Sequence, residues 1–499
     1  MPATEFPQAS DILAILPQCI VAVLAMIVLL ADAVAPKMSK RTLANISVLG
    51  LVVALAVQIA QRPWLQPVFQ KMVIADEYAR YFNIVFLVGA IISVLLSVDY
   101  LEREGISHGE YYALLLLTTT GMMIMGAATN LIVVFLGLEV LSISLYVLAG
   151  YARERLVSEE AAMKYFLLGA FASAFFLYGV ALVYGATQSL NLMDIAVQVK
   201  SGGVTPLLLA GAALLVVGFG FKVAVVPFHI WTPDVYEGAP TSVTAFMSVG
   251  AKAAGFAAFL RVFSVALPGL SPESAKVIAI LSALTMVVGN FVAVAQKNIK
   301  RLLAYSSIAH AGYIMVGLVA AMSPVNAIRG DAIGAVLFYT LAYTVTNLGA
   351  FAVVLAFRRQ GEEVLELDDY AGLGLKYPVL GAAMTLFMVS LAGLPPTAGF
   401  LGKLYLFRAA LGAGRTGLVI VGVLTSVVSF YYYLAVIVRM YMAAPSARTE
   451  KTEAVPDGHL SLALALAALG TLWLGIWPGW ALGPAQTAWH AFQQGIARL

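Results

Sequence analysis

Residues 217–231 read VGFGFKVAVVPFHIW, an apolar run that is interrupted by Lys222, Pro227 and His229. A second run, SLAGLPPTAGFLGK at 390–403, is interrupted in a similar way. Proline removes a backbone donor and clashes with the preceding helical turn, so we expect a broken helix in each run. At membrane depth an irregular backbone is tolerated only beside protein or water. The two runs therefore predict a membrane protein with two broken helices.

The composition indicates a polytopic membrane protein with an all-α fold. Of the 499 residues, 61% are hydrophobic and 11% are charged, whereas about 25% are charged in an ordinary soluble domain. The formal net charge of +3 indicates no nucleic-acid partner. Apolar runs of membrane-spanning length predict about fourteen transmembrane helices. The runs lie near residues 10–32, 44–61, 82–101, 111–128, 131–151, 160–186, 205–230, 242–265, 275–295, 302–322, 333–357, 377–410, 416–442 and 459–482.

An internal repeat is expected, because the two interrupted runs lie about 170 residues apart and the segments at 130–146 and 298–313 are loosely similar. Equivalent broken helices in two halves are typical of repeats around a site at the membrane midplane. Five helices separate the two units, and this odd number predicts that they are inverted. The expected organisation is an N-terminal three-helix segment at 1–105, a first five-helix repeat at 106–268, a second, inverted five-helix repeat at 269–445 and a C-terminal helix at 446–499.

The loops and the cysteine content set the orientation and the cofactor expectations. Basic residues in alternate loops, about fifteen against about eight, favour both termini on the non-cytoplasmic side. Acidic residues precede the first run, so we expect no cleaved signal peptide. The single cysteine, Cys19, excludes a disulfide framework and cysteine-ligated iron–sulfur or zinc sites. We therefore expect no cofactor and no metal on this chain.

Five charged residues inside the apolar runs are candidates for function. Insertion scales place the cost of a central charge at about 2.5 to 3.5 kcal/mol each, so they indicate function unless each snorkels to water or forms a structural ion pair. They are Glu139, Lys164, Lys222, Lys252 and Lys403.

Two interpretations of Lys164 stay open. The Ser158, Glu159 and Glu160 sequence is typical of a helix N-terminus, from which Lys164 can reach water. In the other interpretation Lys164 pairs with Glu139 on the preceding antiparallel helix, where the carboxylate would otherwise lie unpaired.

Lys222, beside the Pro227 break, is the central candidate for proton exchange. Freed carbonyls and water at a break stabilise either an ammonium or a neutral amine, and burial allows a lysine to exchange protons near neutral pH. We expect His229, seven residues later, on the same helical face, either as a relay member or as a hydrogen-bonded histidine at the membrane surface. His310 is weighed in the same way, since its place matches the region of Glu139 in the first repeat.

Three segments resemble a known family. FKVAVVPFHIWTPDVYEGAPTSVTAFMSVGAKAAGFAA at 221–258, SLAGLPPTAGFLGK at 390–403 and EEAAMKYFLLGAFASAFFLYG at 159–179 are similar to the N-type, antiporter-like subunits of respiratory complex I, the proton-pumping NADH:quinone oxidoreductase. The resemblance covers the fourth to thirteenth expected helices. In the M-type subunits a glutamate usually stands where Lys403 falls, and the L-type subunits continue into a long lateral helix for which this chain is too short.

The resemblance implies an inverted repeat with two half-channels and a role for each buried charge. Glu139 with Lys164 would form the charged pair, Lys222 would be the central proton carrier, Lys252 would link the halves and Lys403 would face the exit. It also implies that the chain is part of an oxidoreductase whose quinone, FMN and iron–sulfur clusters lie on other subunits.

The same resemblance implies partners and a location. The expected partners are the M-type subunit and the small K, J and A type subunits, with the lipid bilayer and protons and without nucleic acid. The expected location is the bacterial inner membrane, or a thylakoid-type membrane. Two alternatives remain: a subunit of a multisubunit cation/proton antiporter or membrane-bound hydrogenase, and a stand-alone secondary transporter.

Overall fold

The computed structural model describes residues 8–64, 66–267, 271–445 and 447–497. Residues 1–7, on which the expectation of an uncleaved N-terminus rests, lie outside these ranges. The helices up to the first break are α1 Ala9–Ala14, α2 Leu16–Val34, α3 Lys40–Ala60, α4 Glu77–Arg103, α5 Glu110–Ala127, α6 Leu131–Ala149, α7 Leu156–Thr187, α8 Leu192–Gly202 and α9 Pro206–Lys222.

The remaining elements follow in chain order. The helices are α10 Trp231–Gly238, α11 Thr241–Phe246, α12 Lys252–Arg261, α13 Ser271–Val294, α14 Ile299–Ala321, α15 Asn326–Ala356, α16 Leu373–Lys376, α17 Pro378–Ala392, α18 Ala398–Gly412, α19 Thr416–Met442, α20 Ala447–Glu450, α21 Gly458–Ile476 and α22 Gly479–Ala497. The strands are β1 Phe357–Arg359, β2 Glu362–Glu363 and β3 Thr452–Ala454.

The helices confirm the predicted all-α, polytopic membrane architecture. By length and composition, 11 helices of the described residues can cross a membrane. Two further apolar helices, α9 and α17, are shorter because each ends at a break in the chain. The expected total of about fourteen spans stays a prediction.

Both predicted breaks are present. Helix α9 ends at Lys222 and α10 begins at Trp231, with no regular helix between them. Helix α17 ends before Gly393, whose φ of 89° lies in the left-handed region that favours glycine and terminates helices. The expectation for His229 was wrong in one respect: because α9 stops at Lys222, the two side chains do not share the face of one helix.

The helix pairs α5–α6 and α13–α14 cross at very close range. A Cβ added to Gly121 of α5 would lie 2.6 Å from the backbone nitrogen of Leu141 in α6. A Cβ added to Gly289 of α13 would also lie 2.6 Å from the backbone nitrogen of Ala309 in α14. Small residues allow membrane helices to approach in this way. Both residues of the second pair are numbered 168 higher than those of the first.

The starts of α6 and α14 are also built alike. Asn130 caps α6 by accepting from the amide of Ile132 at 2.9 Å, and Asn298 caps α14 by accepting from the amide of Lys300 at 2.9 Å. Reciprocal backbone hydrogen bonds tie each start to the segment that precedes the broken helix of the same half. They run from Leu131 N to Leu190 O (2.9 Å) and Leu192 N to Thr129 O (2.9 Å), and from Ile299 N to Leu365 O (2.8 Å) and Leu367 N to Lys297 O (2.8 Å).

A small antiparallel sheet of order β2-β1-β3 joins the segment after α15 to the segment after α20. Arg358 of β1 donates to Glu104, which also accepts from Arg155. The side chain of Glu104 is only 4% exposed, so the two guanidinium groups neutralise a nearly buried carboxylate. The sheet is therefore attached to the helix bundle through β1.

Candidate functional site

Lys222 lies at the last residue of α9 and is only 3% exposed. Its Nζ donates to Ser142 Oγ at 2.7 Å and to the Tyr165 hydroxyl at 3.4 Å. Among the described residues, no carboxylate forms an ion pair with this amine. Burying an ammonium with hydroxyl partners alone is costly. The site is therefore suited to a group that alternates between its charged and neutral forms.

Glu139 on α6 approaches Lys222 through hydroxyl groups. Its carboxylate accepts from Ser173 Oγ of α7 at 2.5 Å, while Ser142, one helical turn after Glu139, accepts from Lys222. A cavity of about 10 Å³ is lined by Ser142, Ser173 and Lys222 among others, which is enough for about one water molecule. Two hydroxyls and a water-sized space thus separate the carboxylate from the amine.

The predicted ion pair between Glu139 and Lys164 is not formed. Lys164 Nζ instead pairs with Asp234 at 2.7 Å and with Glu160 at 2.6 Å. Glu139 meets α7 at Ser173, nine residues beyond Lys164 and so about 13 Å further along the helix axis. Glu139 therefore packs against α7 far from Lys164. Lys164 pairs instead with Glu160, which lies four residues earlier on the same helix.

Lys164 belongs to a charged cluster near the N-terminal ends of three helices, α7, α10 and α14. Asp234 of α10 also accepts from Arg301 of α14 at 2.9 Å, and Arg301 reaches Glu237 at 2.6 Å. Partial burial opposes ionisation, but the hydrogen bonds from Lys164 and Arg301 keep the pKa of Asp234 below its ordinary value. The cluster ties α7, α10 and α14 together just beyond the first break.

His229 lies in the irregular segment between α9 and α10 and is half-buried. Its Nδ1 is buried and has no hydrogen-bond partner among the described residues. The structure therefore does not connect it directly to Lys222, and it leaves a ring nitrogen free for a water or another donor.

Lys252 directly follows a π-helical turn, Met247–Ala251. Single π-helical turns are rare and are frequent at functional sites. The side chain is 3% exposed, its Nζ donates to Ser307 Oγ of α14, and the amine lies 6.0 Å from the ring centroid of Tyr236. Lys252 is thus buried, as predicted, and it contacts α14.

His310 lies in α14 and is 3% exposed. Its Nδ1 is 2.5 Å from the hydroxyl of Tyr339, and its Nε2 is 3.0 Å from the hydroxyl of Tyr433. Tyr433 also contacts Ser306, the residue before the Ser307 partner of Lys252. Hydroxyl groups therefore lead from the surroundings of Lys252 to the imidazole.

The residue numbering of the two helix crossings gives His310 a counterpart in the first predicted repeat. With the offset of 168 residues that relates the helix crossings, Glu139 matches Ser307 and Ser142 matches His310. The imidazole thus corresponds to the hydroxyl partner of Lys222, one turn beyond the position of Glu139.

Lys403 lies in the second turn of α18, beyond the second break, and is 5% exposed. Its Nζ donates to the carbonyls of Leu391 at 3.1 Å and Ala392 at 2.9 Å, and it lies 4.7 Å from the ring centroid of Tyr313. These carbonyls have no intrahelical partner because α17 ends there. The break therefore builds the binding site of the lysine.

Besides Arg358, which is 7% exposed, sequence reasoning missed two buried cations. Lys300 is 2% exposed and donates to the carbonyl of Ala239 at 2.7 Å. Arg261 forms a buried ion pair with Asp76 at 2.9 Å, with side-chain exposures of 2% and 1%. Both cations stand near the ends of apolar runs, where the sequence does not distinguish a buried side chain from one that reaches water.

The hydroxyl partners were also missed, although a signal for them exists. Serines and tyrosines that recur at the same helical face as a buried charge can donate and accept at once. The residues that play this part are Ser142, Ser173, Ser306, Ser307, Tyr339 and Tyr433.

Comparisons with known proteins are consistent with this arrangement. A family model described as "NADH:quinone oxidoreductase/Mrp antiporter, TM" matches residues 128–429. The NADH-quinone oxidoreductase subunit N of Trichlorobacter lovleyi is 48% identical over 96% of this chain and 97% of that protein. A chain of respiratory complex I from Thermus thermophilus with bound Aureothin is 38% identical, with a TM-score of 0.78 over 94% of this chain and 98% of that one. A chain of the Mrp complex from a Dietzia species is 22% identical, with a TM-score of 0.83 over 98% and 100%, and this likeness is one of fold.

Proposed function

Because the chain belongs to the family of NADH:quinone oxidoreductase and Mrp antiporter transmembrane proteins, we propose that it moves protons through a relay that extends from Glu139 to Lys403. Within the family it is an antiporter-like, proton-pumping membrane subunit of the N type of complex I. It thus acts as part of a quinone-reducing translocase, and the redox chemistry takes place elsewhere in the complex.

The observation that carries the proposal is a line of buried ionisable groups connected by hydroxyls. Lys222, Lys252, His310 and Lys403 are each at most 5% exposed. Ionisable residues inside a membrane are costly and commonly mark ion and proton pathways. Serine and tyrosine hydroxyls both accept and donate, so they can pass a proton between these groups with a few intervening waters.

Lys222 is the central carrier in this proposal. Its surroundings hold an ammonium through Ser142 and Tyr165 and provide no carboxylate in direct contact. A shift in the nearby Glu139 charge changes the stability of the ammonium, because an opposite charge within a few ångströms favours the charged form. Moving one charge against a membrane potential of 100 mV requires about 2.3 kcal/mol. A modest change in the interaction free energy between Glu139 and the Lys222 ammonium is of this size.

Lys164 takes a revised role. It does not pair with Glu139, and its bonds to Asp234 and Glu160 connect α7 to α10, which follows the first break. A movement of α10 therefore pulls on α7, the helix that also carries Ser173, the donor to Glu139. We propose this mechanical link as the way in which a change elsewhere in the complex reaches the Glu139 charge.

Lys252, His310 and Lys403 extend the relay into the second half. Lys252 reaches Ser307 across the boundary between the halves, and His310 continues from it through tyrosine hydroxyls. Lys403 is the proposed exit group, beside the second break. His229, with its unpartnered Nδ1, is the proposed connection from Lys222 toward the cytoplasm through water.

The inverted repeat is part of the proposal, with units at 106–268 and 269–445, the helices before them at 1–105 and the C-terminal part at 446–499. The matched asparagine caps, the matched reciprocal backbone hydrogen bonds and the matched glycine crossings support it. Each half would then supply one half-channel around its own broken helix.

The chain is an integral, multi-pass subunit of a multisubunit membrane complex. We propose that it carries no cofactor, and that the quinone site, FMN and iron–sulfur clusters lie on other subunits. The proposed neighbours are the M-type subunit and the small K, J and A type subunits. The proposed location is the bacterial inner membrane, with both termini on the non-cytoplasmic side, as the distribution of basic residues favours.

Ion flux in vesicles tests the function. The complete complex is reconstituted, quinone reduction is started, and internal pH is followed with and without sodium. We expect proton movement that depends on quinone reduction and not on sodium. Sodium-dependent proton exchange without quinone would contradict this and favour a cation/proton antiporter, the candidate that the fold likeness to the Mrp complex supports.

A further inference from the structure

An apolar cavity of about 830 Å³ lies away from the relay, between α3, α4, α15, α21 and α22. Its walls are mainly aliphatic, with Val52 from α3, Val88 from α4, Leu341 from α15 and Leu466 from α21. Pockets of about 300 to 1,000 Å³ are typical of small-molecule and cofactor sites. None of the relay residues from Glu139 to Lys403 is in its lining.

One end of the cavity is polar and carries two unsatisfied groups. Glu77 and Arg80 of α4 line this end and pair at 3.2 Å, with side-chain exposures of 24% and 26%. Arg80 Nε is buried without a hydrogen-bond partner, although its Nη2 donates to the carbonyl of Ile59 at 2.6 Å. Tyr81 is 7% exposed, and its hydroxyl is also buried without a partner. Buried polar groups are seldom left unpaired, so these two groups have hydrogen-bonding capacity left for a ligand.

The charges select among membrane ligands. Arginine binds phosphate well through several N–H groups, whereas Glu77 beside it repels a headgroup that is only anionic. A headgroup with a phosphate and a primary ammonium matches both side chains. Trp480 of α22 lines the cavity as well, and tryptophan is typical of the membrane interface, where lipid headgroups lie.

We propose that this cavity binds a zwitterionic phospholipid of the phosphatidylethanolamine class. Its phosphate contacts Arg80, its ammonium contacts Glu77, and one acyl chain fills the aliphatic part. The Tyr81 hydroxyl donates to a phosphate or ester oxygen. Such a lipid joins the C-terminal helices α21 and α22 to α3, α4 and α15.

Photo-crosslinking in the intact complex tests the proposal. The probe is phosphatidylethanolamine with a diazirine in one acyl chain, and labelled peptides are identified by mass spectrometry. We expect labels on α3, α4 and α21, and we expect unlabelled phosphatidylethanolamine to compete at least tenfold better than phosphatidylglycerol with the same acyl chains. Equal competition by the two lipids, or better competition by an isoprenoid quinone, would overturn the proposal.

Variants locate the binding groups. Arg80→Gln and Glu77→Gln should each lower the labelling of these peptides several-fold, Tyr81→Phe should lower it less, and Lys200→Gln, an exposed change on α8, should leave it unchanged. Val88→Trp fills the cavity without altering a charge, and it should abolish the label in a complex of normal size. Unchanged labelling in both Arg80→Gln and Val88→Trp would refute the site. The readout is binding, so it is independent of proton pumping.

Discussion

At the residue scale, hydroxyl groups decide what a buried lysine can do. Lys222 and Lys252 each have a serine as hydrogen-bond acceptor, and both are buried. A serine oxygen accepts from an ammonium, and its proton can rotate toward a neutral amine. A carboxylate in the same place would hold the ammonium permanently. The serine partners therefore suit lysines that must release a proton.

Ser142→Ala should impair proton transfer through Lys222. A hydrogen bond to a charged group contributes about 1.5 to 3 kcal/mol, so its loss should change the proton affinity of the lysine about tenfold or more and slow coupled pumping. Ser144→Ala is the matched control, because within the described ranges the Ser144 hydroxyl bonds only the Val140 carbonyl of its own helix, at 3.0 Å. Pumping rates in vesicles measure both variants. Equal rates for the two variants would argue against a role for the Ser142 hydroxyl.

Arg261→Met should strongly destabilise the chain. The change leaves the Asp76 carboxylate buried without its main partner, and breaking a buried ion pair costs about 3 to 5 kcal/mol. The thermal stability and yield of the assembled complex measure the effect. Lys276→Met, an exposed change on α13, should have little effect, and a similar small effect for Arg261→Met would show that the pair is not structural.

The sequence predicted the buried charges better than their partners. Lys222, Lys252 and Lys403 stand well inside apolar runs, so their burial follows from position alone. The partner of Lys164 depends on how α6 and α10 are placed along α7. Glu139 of α6 meets α7 nine residues beyond Lys164, whereas Asp234 of α10 lies beside Lys164. Periodicity within single helices does not contain that information.

At the element scale, the breaks create binding sites from backbone groups. Helix α17 ends at a glycine, and its last carbonyls bind Lys403. Proline and glycine made both breaks predictable from sequence. The residue at which α9 ends was not predictable, since helix ends depend on tertiary contacts as well as on proline, and the π-helical turn before Lys252 has no sequence signal that we can name.

Gly393→Ala should displace the Lys403 side chain, in addition to the free-energy cost of the strained backbone at residue 393. The left-handed conformation costs a non-glycine residue about 1 to 2 kcal/mol, and a Cβ would also lie 2.9 Å from Lys403 Cδ. Gly414→Ala is the control, because Gly414 has a φ of 70° and nothing within 4 Å of its Cβ position. We expect pumping to fall several-fold in Gly393→Ala alone, and an equal fall in both would refute the contact.

The Asp234 cluster should make the junction of α7, α10 and α14 sensitive to acid. The pKa of Asp234 is lowered in the folded chain, so its contribution to stability is complete above the unfolded value of about 3.9 and is lost as pH falls through the lower folded value. Thermal unfolding measured between about pH 6 and pH 3 should show this loss. Asp234→Asn should be less stable at pH 6 and less dependent on pH, and an unchanged pH dependence would count against the cluster.

At the scale of the whole molecule, Lys252 of the first proposed repeat contacts Ser307 of the second. The sequence predicted the repeat from two breaks and their spacing, and the matched caps and crossings support it with features that sequence similarity was too weak to display. Asn130 and Asn298 illustrate the limit: their capping role is visible in the sequence, but their hydrogen-bonded neighbours about 60 residues later are set by the fold.

The Lys222→Ala variant tests the central claim most directly. Protons moved per electron are measured in vesicles that contain the complete complex, with Lys200→Ala, an exposed lysine on α8, as the control. If Lys222 is the central carrier, the ratio should fall in Lys222→Ala while the complex keeps its normal size, and it should remain unchanged in Lys200→Ala. An unchanged ratio in Lys222→Ala would show that protons cross this subunit by another route or do not cross it.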